Sequence, residues 1–460
     1  MDDPSPAVRL PAEILARIFE WLPLQFGHAV KEDTVSWAIS SSCPALRQAS
    51  LVCKNWRHPA QHQLVRSIQF KRLSQAKRFL RTLDDHPDLA KHARAICIGL
   101  QQDHEGRNSE EARVAISHAM VEYLERLPNV HSIRVRFLME SSRDRFVHIC
   151  NNRHLRVLLL KTYELAHKHI GGACVMHPLD IYRAVCKPSM RVFEMSVHPR
   201  WKPEDVQLAP PPELSSPVIS LSLTVNVPAA THHFLSLFGA RLRYLSLYTE
   251  HQLSPVECAA AFRSLTGLRE LRFESNIEAD GSDPLDKGAN LWFEDVFAPV
   301  RSPSVGGGNA GGSASVNGGS AGSTPSPAPT SPFPELRKLS LSDQAATPSV
   351  LRHLPPSLVT FEYIQRSATA ERIFATLASL LAATPGVDLP ESLEEVVVVS
   401  DEDQMGSVES DGVGATDEEA ERVRRAFEER GVRFEARGEE ADIPLRRFLE
   451  LCLPSGGTTH

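Results

Sequence analysis

One short pattern, L-x-x-L-x-L with L standing for any large apolar residue, returns nine times and most constrains how this chain can fold. It reads Val130, Ile133, Val135 in VHSIRV, then Leu155, Leu158, Leu160 in LRVLLL, then Met190, Phe193, Met195 in MRVFEMSV. It continues with Val218, Leu221, Leu223; Leu242, Leu245, Leu247; and Leu268, Leu271, Phe273. The last three copies are Leu336, Leu339, Leu341; Leu358, Phe361, Tyr363; and Leu393, Val396, Val398. Middle positions fall mostly 22 to 28 residues apart, with 35 as a longer variant; the widest gap, 68, drops to 36 without the 32-residue segment 301–332. A basic period of about 25 lies in the range of stacked-repeat architectures.

The spacing has a mechanical cause. In a strand, residues two apart point the same way, so the last two apolar positions face inward together. A return segment must then cross back before the next parallel strand can form. Several return segments carry helix signals. Ser254-Pro255-Val256-Glu257 is a capping box with proline in the first turn, and Thr347-Pro348 and Ala370 to Ala382 look similar. Each unit buries its apolar edge only by stacking on the next.

The pattern resembles an irregular leucine-rich-repeat array over residues 90 to 440, which implies an α/β solenoid. Asn, which in that family hydrogen-bonds the turn backbone, ends the pattern at Asn226 and Asn276; Glu250 and Gln344 stand there in two other copies. An unrelated α/β domain with a buried parallel sheet is the alternative, since short apolar runs suit either.

Segment 301–332, RSPSVGGGNAGGSASVNGGSAGSTPSPAPTSP, reads as a Gly/Ser/Pro linker too poor in large apolar side chains to offset its ordering entropy. Its formal GxSxG match, Gly318 to Gly322, lacks the strand and helix that a nucleophile elbow needs. Asp401 to Asp417 reads as a smaller acidic loop. From Glu391 onward there are 19 acidic and 8 basic residues, so the other 390 residues, with 42 basic and 38 acidic, are nearly neutral. That balance supplies no broad basic field for nucleic acid; the basic stretch Lys54 to Arg94 reads as solvated helix surface.

The first seventy residues are organised differently. Leu10-Pro11-Ala12-Glu13 opens a helix in which Ile14, Leu15, Ile18, Phe19 and Leu22 follow at helical spacing. A second helix is expected to carry Leu46, Ala49, Val52, Cys53 and Trp56, and Pro59 to open a third bearing Leu64, Val65 and Ile68. So thin a core leans on a partner or on a neighbouring domain.

LPAEILARIFEWL followed by LRQASLVCKNWRHPAQHQLVRSI resembles an F-box, the helical motif by which substrate receptors dock on the Skp adaptor of cullin–RING (SCF) ubiquitin ligases. The resemblance covers residues 10 to about 68. It implies adaptor contacts at Leu10, Pro11, Ile14, Leu15, Phe19, Leu51, Val52 and Trp56. Twenty-three residues separate Leu22 from Leu46, where the family has a handful; a loop there lengthens at small entropic cost.

No other constellation asks for chemistry. His167, His169, Cys174 and His177 match no familiar zinc spacing, and no phosphate loop, HExxH or dinucleotide fingerprint is present. The eight cysteines form no CxxC pair, the first residues lack the apolar run of a secretory signal, and no stretch of about 18 apolar residues suggests a membrane span. A cytoplasmic or nuclear setting is expected. Thr416-x-x-Glu419 should cap a helix through Arg430 that Gly431 stops, with a strand at Val432 to Phe434 and a closing helix at Leu445 to Leu453.

The expected organisation is an F-box-like helical module at 1–70 with an inserted loop at 23–45, a repeat domain at 71–300, the linker at 301–332, and a second repeat segment with its cap at 333–453. The expected function is a non-enzymatic substrate receptor without cofactor, binding the Skp adaptor and an unknown protein substrate but neither nucleic acid nor membrane. The alternative is a non-catalytic repeat scaffold whose N-terminal helices only cap it.

Overall fold

A computed structural model describes residues 10–26, 44–70, 73–98, 110–135, 138–161, 177–196, 216–225, 235, 237–249, 255–275, 296–297, 333–365, 370–383, 389–400 and 413–438. The linker at 301–332, the closing segment at Leu445 to Leu453 and His167, His169 and Cys174 lie outside them. The chain divides into two compact units, one running to His251 and the other spanning Gln252–Arg437.

The first unit opens with α1 (Ala12–Phe26), α2 (Pro44–Val52) and α3 (Lys54–Arg66). It continues with β1 (Ser67–Phe70), α4 (Leu73–Asp85), β2 (Ala95–Ile98), α5 (Glu110–Arg126), β3 (Ser132–Val135), α6 (Arg143–Asn152) and β4 (Val157–Lys161). After α7 (Pro178–Val185) come β5 (Val192–Ser196), β6 (Ser220–Val225) and β7 (Tyr244–Thr249). Each of β1 to β6 pairs in parallel with the next.

The register follows the repeat. Ile68, Ile96, Ile133, Leu158, Phe193, Leu221 and Leu245 stand opposite one another in turn, and every one is buried. A slip of one residue would turn the whole set to the other face, which fixes the pairing. Each such side chain contributes about 1.5–3 kcal/mol by leaving water.

The second unit contains α8 (Pro255–Arg263), β8 (Glu270–Ser275), β9 (Lys338–Ser342), β10 (Thr360–Ile364), α9 (Ala370–Ala383), β11 (Glu395–Ser400), α10 (Val413–Glu428) and β12 (Arg433–Gly438). Strands β8 to β11 pair in parallel, with Leu271, Leu339, Phe361 and Val396 in one buried row. The Arg433 N–H donates to the Glu394 carbonyl at 2.9 Å, which brings β12 beside β11. The protein is thus mixed α/β with parallel strands.

Helix ends are closed by side chains from the following return segment. Arg153 donates to the carbonyls of Leu124 and Leu127 at the end of α5, and Ser216 Oγ donates to the Val185 carbonyl at 2.6 Å at the end of α7. In the second unit Ser392 Oγ does the same for a turn before β10, donating to the carbonyls of Pro356 at 2.7 Å and Leu358 at 2.6 Å. These bonds give donors to carbonyls near helix and turn ends.

Four expectations change. The second helix stops at Val52; Cys53 is extended and α3 starts at Lys54, so Trp56 belongs to α3. Pro59 does not open a helix but is the sixth residue of α3, where its missing N–H gives up one bond of the helix. Ile68 is in β1, held by parallel pairing to Ile96. Helix α10 begins at Val413, ahead of Thr416, so the end of the expected acidic loop is helical. Thr347-Pro348 leads into a short 3-10 turn, Pro348–His353, and Gly431, at φ 75°, ends the last helix in the left-handed region that glycine favours.

Candidate docking site on the N-terminal helices

Leu15, Phe19, Leu46, Ala49 and Ala60 form a closed core among α1, α2 and α3, with Leu10, Ala45, Trp56 and Leu64 packed around it. Helix α1 is anchored at its start by the Leu15 N–H, which donates to the Pro11 carbonyl at 3.1 Å. The Phe19 and Trp56 rings meet edge to face with centroids 5.5 Å apart, tying α1 to α3. Gln63 Nε2 adds a bond to the Ala16 carbonyl at 3.4 Å.

The residues singled out from sequence therefore divide into two sets. Leu15 and Phe19 are buried, and Leu10 and Trp56 are half-buried against them. Pro11 is exposed, and Ile14, Leu51 and Val52 are 47%, 79% and 58% exposed. Ile18, at 44%, joins them and was not in the expected contact set. The signal for it lay in the helical spacing: Leu15 and Phe19 are four apart on the inner face, and Ile14 and Ile18 are four apart beside them. An apolar stripe this wide cannot all face a three-helix core.

Among the described residues, Ile14, Ile18, Leu51 and Val52 are the exposed large hydrophobics, and all four belong to the helices that open the chain. Burying a single such side chain against a partner is worth about 1.5–3 kcal/mol.

A histidine stack joins α3 to the segment that leads into β2. The rings of His62 on α3 and His92 lie 3.8 Å apart at 14°, and His58 is 6.4 Å from His62. Burial, followed by the nearby His92 and His58, holds His62 below the usual imidazole range.

His177, from the cluster weighed as a zinc site, caps α7: its Nδ1 accepts from the Leu179 N–H at 3.3 Å. Among the described residues, no group of three or more His, Cys, Asp or Glu side chains is placed to hold a metal, and no helix is long and apolar enough to cross a membrane. In comparison with known proteins, no family model and no curated protein sequence matches the chain.

Proposed function

We propose that the N-terminal helices dock on a Skp-type adaptor, making the chain an F-box substrate receptor of a cullin–RING ubiquitin ligase. The observation that carries this reading is the outward placement of Ile14, Ile18, Leu51 and Val52 on a core already closed by Leu15, Phe19 and Leu46. A folded module that keeps four branched apolar side chains in water is suited to a partner helix or groove. The parallel strands and their return segments are read as leucine-rich-repeat-like solenoid turns, which offer a surface for a protein substrate. The chain then acts by proximity, raising the effective concentration of substrate lysines near a ubiquitin-charged enzyme, and supplies no reacting group or cofactor. A cytoplasmic or nuclear setting belongs to the same proposal.

The test is co-purification of the full chain with a Skp adaptor, beside an Ile14→Glu/Leu51→Glu variant whose folding is followed by circular dichroism. Adaptor retained by the native chain and lost by the folded variant supports the receptor. No adaptor with the native chain overturns it.

A second reading, a repeat scaffold capped by these helices, is favoured by one observation. Helix α3 ends at Arg66 and β1 begins at Ser67 with no intervening residue. The scaffold requires that the native chain hold no adaptor.

A further inference from the structure

The second position of the repeat stands at the N-terminal edge of each strand, and in the first unit it carries Arg66, Arg94, His131, Arg156 and Arg191, followed by Ile219 and Arg243. The backbone fixes them in one column. The Arg94 N–H donates to the Arg66 carbonyl at 2.8 Å, His131 to Arg94 at 3.0 Å, Arg156 to His131 at 2.8 Å, and Arg191 to Arg156 at 2.8 Å. Successive members are thus one strand spacing apart, about 4.8 Å. In the second unit two arginines at matching positions are paired with carboxylates: Arg269 with Glu335 at 3.3 Å, and Arg433 with Glu395. In the first unit, among the described residues, neither Arg94 nor Arg156 has a carboxylate in ion-pair distance; Arg94 donates instead to the Lys91 carbonyl at 2.9 Å.

A cavity of about 300 Å³ opens at this edge, lined by Arg94, Asn129, His131, His154 and Arg156 with Pro128 and Val130. That volume is at the small end of ligand sites. Burial and then the charges of Arg156, Arg94, Arg66 and His154 push the His131 imidazole down to about 4. Among the described residues that line it the cavity holds two arginines and no carboxylate, so its field is positive.

We propose that this cavity is a binding site for a phosphate monoester dianion, gripped between the Arg94 and Arg156 guanidiniums. Two charges and three acceptor oxygens match two guanidinium forks and the flanking imidazoles, whereas a single carboxylate would leave one fork unanswered. The proposal does not depend on adaptor docking. The phosphate could be carried by a small molecule or by a phosphorylated side chain of another protein.

The full chain, with its histidine rings isotope-labelled, is titrated with phenyl phosphate, a phosphoserine peptide, the matching glutamate peptide and benzoate. Affinities are measured by calorimetry, and the His131 ring signal is assigned with His131→Gln. Phenyl phosphate is expected to bind and to move the His131 signal toward its protonated position, because a dianion relieves the surrounding positive charge. Affinity should fall roughly tenfold or more in Arg156→Gln and again with Arg94→Gln, and stay unchanged in Arg145→Gln, whose exposed guanidinium pairs with Glu125 elsewhere. A phosphoserine peptide that binds more tightly than phenyl phosphate assigns the source to a protein; the reverse order assigns it to a small molecule. Equal binding of benzoate or the glutamate peptide overturns the dianion, and a His131 signal that no phosphate probe moves overturns the site. If the variants fail to fold, the His131 signal of the native chain decides.

Discussion

The Lys187 ammonium, just beyond the end of α7, donates to the carbonyl of Asn151 at 2.7 Å, closing the last turn of α6 from outside. It also reaches the carbonyls of Cys150 and Arg153. One side chain thereby satisfies three acceptors at a helix C-terminus, where a cation is favoured. Burial lowers the Lys187 pKa, and the three carbonyls help to solvate its charge.

Lys187→Met should therefore destabilise the first unit by about 2 kcal/mol, since it leaves several carbonyls without a donor. Urea unfolding would show this as a lower midpoint with an unchanged slope. Lys187→Arg should recover part of the loss, because a guanidinium can reach more than one of the same acceptors.

On α1, neighbouring positions should give opposite results. Phe19→Ala removes a buried ring packed edge to face on Trp56 and should cost about 3–5 kcal/mol, melting the helical module in far-ultraviolet circular dichroism. Ile14→Ser, on the exposed face, should change stability by less than about 0.5 kcal/mol while weakening adaptor capture. Equal stability losses in the two variants would contradict the division into inner and outer faces.

His131 gives stability a pH dependence of defined sign. Its imidazole is neutral in the folded chain down to about 4 but takes a proton near 6.5 when unfolded. The unfolded state therefore binds more protons between those values, and stability falls as pH drops from 6.5 toward 4. His131→Gln should flatten this window, removing on the order of 2 kcal/mol of the acid-side loss after solvent screening. Denaturant midpoints at pH 7.5 and pH 5 would measure it, and a variant with the native slope would rule it out.

Glu362 on β10 is buried, and its carboxylate accepts from Lys338 Nζ and from Ser340 Oγ, each at 2.5 Å. Lys338→Met should cost about 3–5 kcal/mol because it removes the cation that faces a buried carboxylate. Lys338→Met/Glu362→Met should be more stable than the single variant. A double-mutant cycle on thermal midpoints would show that coupling, and additive losses would refute it.

Nine strands were legible from apolar spacing, and Ile133, Leu158, Phe193, Leu221 and Leu245 stand in the register which that spacing implies. Strands β1 and β2 escaped notice, although Val65-x-x-Ile68-x-Phe70 and Ala93-x-x-Ile96-x-Ile98 fit the same pattern. The first copy is continuous with a helix, and the second begins with a small alanine in place of a large residue. The N-terminal helices were legible as apolar stripes, but helical spacing cannot say which of two adjacent stripes meets the core. Ile18 shows this: it is spaced like Phe19 and faces the other way.

What the sequence by itself determined is nine of the strands and their phase, because the last two apolar positions of each copy lie two apart and so share one face. The tertiary structure decided what the polar positions do. Arg94 and Arg156 look like any scattered arginines along the chain, yet parallel pairing brings them to either side of His131. Their charges add in one cavity because strand spacing, not chain distance, sets how far apart they are.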